Sequence, residues 1–112
     1  MRRVDEALRE VLGPVIAQDL KDPRLGFVTV TDVKTSPDLR HALVYVSVLG
    51  EEPARSLSLD ALRAAHGFLQ QRLATALRIK HTPQLRFEYD DTLDKGMRVE
   101  QLLAERDREG EA

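Results

Sequence analysis

The longest amphipathic pattern in the chain sets the terms for the rest of the fold. Between Leu57 and Lys80 the apolar residues Leu57, Leu62, Ala65, Leu69, Leu73, Ala76 and Leu77 recur at helical spacing. An unbroken helix over this span would measure about 36 Å at 1.5 Å per residue. That is long for a chain of 112 residues. Gly67 stands near the middle, where glycine costs about 1 kcal/mol relative to alanine. The pattern therefore predicts two helices with a kink or tight turn at Gly67, within the tripeptide Ala65-His66-Gly67. The stripe continues in phase through the glycine, so this break rests on length and residue type and not on periodicity.

The segments on either side supply the other layers. Val4, Ala7, Leu8, Val11, Leu12, Val15, Ile16 and Leu20 form the cleanest helical stripe in the chain, interrupted by Gly13-Pro14. A proline inside a helix removes a hydrogen bond and crowds the carbonyl four residues back, which predicts a kink there in a helix that survives on both sides. Asp22-Pro23-Arg24 ends it. Phe27 to Val33 is rich in β-branched residues and reads as a strand. After a turn at Thr35-Ser36-Pro37-Asp38, Ala42 to Val48 forms a second strand, with Ala42, Val44, Val46 and Val48 on one face. So short a polar connection implies an antiparallel hairpin.

His81-Thr82-Pro83 breaks the long helical stretch, and Leu85, Phe87 and Tyr89 then alternate with Arg86 and Glu88 as a short third strand. Asp91-Thr92-Leu93-Asp94 is a capping signal for a short last helix carrying Val99, Leu102 and Leu103. The expected class is α+β: helix, two strands, two helices across a kink, and a strand. The sheet has three strands and is covered by helices on one face, its other face partly open. One domain spans residues 1–104, and 105–112 is a charged tail.

Function classes narrow by what such a chain can hold. No cysteine is present, which excludes thiol redox chemistry and thiolate metal sites. The start Met-Arg-Arg-Val-Asp has no apolar run behind it, so neither signal peptide nor membrane span is expected, and a cytoplasmic location follows. The serines lack a Gly-rich elbow and no phosphate loop occurs. His41, His66 and His81 fall on a strand edge, a kink and a helix end, with none of the spacings of a metal site. Asp90-Asp91 and Asp94 read as turn caps rather than an acid pair. No catalytic residue, metal or cofactor is expected.

Binding fits better. The chain is acidic overall, with net charge −2, but the excess sits at its end and in loops. From Leu57 to Tyr89 five basic residues, Arg63, Arg72, Arg78, Lys80 and Arg86, face two acids, Asp60 and Glu88. Such a patch suits RNA phosphates, and equally a solvated helix face. Gly67 between two helices places helix-end amides near these arginines; it serves equally well to let the helices pack closely. The aromatic residues Phe27, Tyr45, Phe68, Phe87 and Tyr89 are mostly assigned to the core, which argues against a stacking platform.

Several segments together resemble the ribosome-binding factor A family. They are Asp22-Pro23-Arg24, Val28-Thr29-Val30-Thr31-Asp32-Val33, Ser36-Pro37-Asp38-Leu39, Ala42 to Ser47, Ala64-Ala65-His66-Gly67-Phe68-Leu69, Pro83 to Phe87 with Asp90, and Gly96-Met97-Arg98-Val99 leading to Leu102-Leu103. Their joint order and spacing carry the likeness, over Val4 to about Leu103. The resemblance implies a type II KH fold in which an Ala-x-Gly kink, here Ala65-His66-Gly67, replaces the usual GXXG loop. It also implies a non-enzymatic factor that binds the small (30S) ribosomal subunit and its 16S rRNA during late maturation and supports growth in the cold. On that reading the RNA-binding candidates are Arg63, His66, Arg72, Arg78, Lys80, His81 and Arg86, with Arg2, Arg3, Lys21 and Arg24 contributing. The protein would act as a monomer without cofactor, membrane or metal. The rival reading is a protein-interaction module of the same fold with no direct RNA contact.

Overall fold

The apolar stripes are satisfied by one arrangement, in which three helical segments cover a single face of a three-stranded sheet. The computed structural model describes residues 2–78 and 81–91. In chain order the elements are α1 (Arg2–Pro14) with a π-helical turn at Val15–Asp19, β1 (Val28–Thr35), β2 (His41–Val48), α2 (Ala54–Ala64), α3 (His66–Leu77) and β3 (Gln84–Tyr89). The last helix, its caps at 92–94 and the tail expected from the sequence lie outside the described residues.

The sheet order is β1-β2-β3. β1 and β2 form the expected antiparallel hairpin, while β2 and β3 run parallel, because α2 and α3 carry the chain back across one face before β3 begins. His41 therefore opens the central strand and does not sit on an edge. Ala42, Val44, Val46 and Val48 of β2 are buried together with Val30, Val33, Leu85 and Phe87. The helices close over them with Leu8, Leu12, Leu62, Leu69 and Leu73, each at 0% exposure. The opposite face carries Lys34, Tyr45 and Arg86 and has no helix on it among the described residues.

Four expectations change in detail. Pro14 ends α1, and instead of a simple kink the chain widens into a π turn closed by the Leu20 N–H on the Val15 carbonyl at 3.2 Å. Proline has no N–H to give to the preceding turn, and the wider spacing accommodates that loss. The break in the long helical stretch falls at Ala65 (φ −87°, ψ 10°) and not at Gly67, which lies inside α3. Gly67 has no positive φ, and a Cβ there would meet nothing within 4 Å. Neither backbone strain nor close helix packing explains the glycine. The aromatic residues are mostly outside the core: Phe27 is 81% exposed and Phe68 40%, and Phe87 alone is buried with the strand valines.

Two side chains fix β3 from the helices. Gln70 of α3 accepts the Leu85 N–H at 2.8 Å and donates to the Pro83 carbonyl and the Thr82 hydroxyl, each at 3.0 Å. Arg63 of α2 donates to the Phe87 carbonyl at 3.1 Å. The outer edge of β3 is thereby closed by side chains rather than by another strand. At the other end of the molecule, fully buried Ser58 accepts the Gly26 N–H at 3.0 Å.

Candidate nucleic-acid interface

The break at Ala65 places an uncapped helix start beside basic side chains. α3 begins at His66 with Ala65 at the N-cap, and no side chain caps it. Its first intrahelical bond is Leu69 N–H to the Ala65 carbonyl, 3.0 Å, so the amides of the first turn have no carbonyl partner within α3 and lie at the positive end of its dipole. Gly67 is exposed in that turn and adds no side chain. Arg63, on the last turn of α2, and His66 line a depression of about 330 Å³ together with Arg86, Glu88 and the β3 residues Leu85 and Phe87. Arg86 reaches Glu88 at 3.8 Å, and its side chain remains 80% exposed.

The other candidate cations are dispersed. Arg72 pairs with Asp19 in the π turn and lies over the Phe68 ring, 5.6 Å from its centre. Arg24 is bonded to Asp22 through Nη2 at 2.8 Å. The Arg24 side chain and then its backbone N–H hold the Asp22 carboxyl below the usual range, and Asp22 raises Arg24 in turn. Lys21 is exposed beyond the π turn. Arg78 closes α3 in the left-handed conformation, φ 51°. Arg3 and His81 lie elsewhere, on a cleft of about 790 Å³ between the start of α1, the end of α3 and the β1–β2 turn. Lys80 lies outside the described residues, as does the side chain of Arg2. The structure thus brings Arg63, His66 and Arg86 into one group and Arg3 and His81 into another, and ties Arg24, Arg72 and Arg86 into ion pairs.

A family model for "Ribosome-binding factor A" matches residues 1–103. The chain belongs to the ribosome-binding factor A family. Among curated relatives, ribosome-binding factor A of Anaeromyxobacter sp. (strain K) is 50% identical over 111 residues, covering 98% of this chain and 80% of that protein. The crystal structure of ribosome-binding factor A from Thermus thermophilus superposes with a TM-score of 0.71 at 34% identity, covering 79% of this chain and 92% of that one. A Thermus thermophilus homology model fitted into a cryo-EM map of a 30S complex gives a TM-score of 0.65 at 34% identity, covering 77% and 90%.

In this chain the α+β, KH-like fold expected from the sequence is present. Its kink tripeptide supplies the helix break through Ala65 and a bare helix surface through Gly67. Asp90 is engaged by the Thr31 hydroxyl, which donates to it at 2.6 Å across the bulge between Val30 and Asp32. Among the described residues no three His, Asp or Glu side chains converge as metal ligands. None of the described helices is long and apolar enough to cross a membrane. Sequence reasoning did not single out Arg40, Leu39 or Gln70: the first two lie in a turn without periodicity, and a glutamine on a helix face gives no sign of the strand it will reach.

Proposed function

We propose that this chain is a non-catalytic assembly factor that binds the small (30S) ribosomal subunit and its 16S rRNA late in subunit maturation. It contacts the RNA mainly through phosphates, acts as a monomer in the cytoplasm, and supports growth in the cold. The observation that carries this reading is the juxtaposition of Arg63, His66 and Arg86 with the uncapped first turn of α3, in which exposed Gly67 adds no side chain. A helix start with Arg63 and His66 beside it and Arg86 on the adjoining strand suits phosphate oxygens. Membership of a family in which a relative was fitted into a 30S complex supports the choice of partner. Co-sedimentation with purified small subunits at low salt tests it: the protein pellets with the subunits, and failure to do so removes the reading.

One observation favours direct contact with protein. Phe27 and Leu49, 81% and 75% exposed, lie side by side where the Leu49 N–H meets the Phe27 carbonyl at 3.0 Å. An apolar pair in water at a sheet end suits a protein surface. Capture on subunits that survives RNase digestion would favour this second reading.

A further inference from the structure

The larger cleft is built for an amphiphilic, anionic ligand. Its floor is aliphatic, formed by Val4 and Ala7 of α1, Leu77 of α3, Pro83 and Leu39. Arg3, Arg40 and His81 stand at its rim, all exposed, and neither arginine has an ion-pair partner among the described residues. Asp38 also lines it; one of its carboxylate oxygens, Oδ1, accepts both the Ser36 hydroxyl at 2.6 Å and the Arg40 N–H at 3.0 Å.

Leu39 is an independent sign. It sits at φ 60°, in the left-handed region, with 43% of its surface exposed. A bulky residue there is an outlier that the turn does not require, since glycine or asparagine adopts this conformation with less strain. What leucine adds is an apolar side chain on the floor of a cationic cleft.

We propose that this cleft holds an unstacked nucleotide of single-stranded RNA, its base against the aliphatic floor and the neighbouring phosphates at Arg3 and Arg40. The inference rests on the reading above that RNA is the partner, and it adds a second contact remote from the start of α3. An acidic peptide would match the charge but not the floor. A buried peptide must satisfy its own N–H and C=O groups along its length, whereas Val4, Ala7, Leu39, Leu77 and Pro83 offer its backbone no side-chain partner. The face of a base carries no such groups, and its hydrogen-bonding edge can remain toward water.

The test uses the full chain with fluorescent octauridylate and an abasic ribose-phosphate octamer at low salt, read by anisotropy. The wild type binds the base-containing strand roughly three- to tenfold more tightly, less than on an aromatic platform. Leu39→Gly, which relieves the backbone, folds normally and abolishes that preference without changing affinity for the abasic strand. Arg40→Ala weakens both strands alike and lowers the salt slope by about one contact. A preference that survives Leu39→Gly overturns the cleft assignment and leaves the RNA reading intact; binding of neither strand removes both. Binding of a glutamate–leucine peptide that is lost in Leu39→Gly, while RNA binding is retained, also overturns it and makes the cleft a protein site.

Discussion

Gln70 shows how one side chain can decide where a strand begins. Its amide takes part in three hydrogen bonds to the approach and start of β3, and truncation leaves the Leu85 N–H and the Pro83 carbonyl without their partner. Gln70→Ala should therefore cost about 2–4 kcal/mol, since each unsatisfied buried group costs about 1–3, measured by urea denaturation; a loss below about 0.5 kcal/mol would contradict the clamp. Asp38 and Asp22 act at the surface and through pH. The Ser36 hydroxyl and then the Arg40 N–H hold Asp38 below the usual carboxylate range, as Arg24 does Asp22. Carboxyls depressed in the folded chain contribute stability that is complete above their unfolded pKa of about 3.9 and lost as pH falls through the lower folded value. The thermal midpoint should therefore be insensitive to these two groups between about pH 7 and 5 and decline below about 4, with Asp38→Asn flattening part of that decline. The Gln70 bonds were not legible in the sequence, because their partners are brought in by the fold, whereas the Asp22 and Asp38 bonds join residues only two apart in the chain. The leucine at φ 60° was hidden for the opposite reason: the turn was readable from Ser36-Pro37-Asp38, and the residue expected at such an angle is not leucine.

At the scale of elements, alternation and β-branching were enough to read the hairpin and β3, because a half-buried strand must show its buried face at every second residue. The same alternation says nothing about strand direction, so the parallel pairing of β3 emerges only from the crossover through α2 and α3. The helix break was legible as a need and misplaced by two residues. Glycine marked the weakest helix former, yet the chain turns at Ala65, which local propensity alone would keep helical. This makes Gly67→Ala informative. With no strained φ and open space at Cβ, alanine should stabilise the fold by about 0.5–1 kcal/mol. If the bare turn is where RNA approaches, the same substitution weakens small-subunit binding; stabilised protein with unchanged binding would separate Gly67 from the interface. Leu69→Ala, at a fully buried position shared by α3 and the sheet, should cost about 2–5 kcal/mol by the same denaturation assay.

Across the whole molecule, the basic stretch that stood out in the sequence does not become one patch. Arg72 is partly neutralised by Asp19, whereas Arg63, His66 and Arg86 gather around the β3 edge and the start of α3. Exposed ion pairs contribute about 0–1 kcal/mol. Arg72→Ala with Arg78→Ala should therefore leave folding nearly intact and weaken subunit binding less than a substitution in the β3 group. A net charge of −2 is compatible with this account, because phosphate binding responds to local cations rather than to the sum over the chain. Phosphate contact at this group is what holds the small subunit in the function proposed above. Its most direct test is the salt dependence of subunit affinity for the wild type and for Arg86→Ala, whose side chain is 80% exposed. The expected result is a linear fall of log affinity with log salt, and a slope shallower by about 0.7–0.9 in the variant, the equivalent of one phosphate contact. An affinity indifferent to salt, or an Arg86→Ala slope equal to that of the wild type, would contradict it.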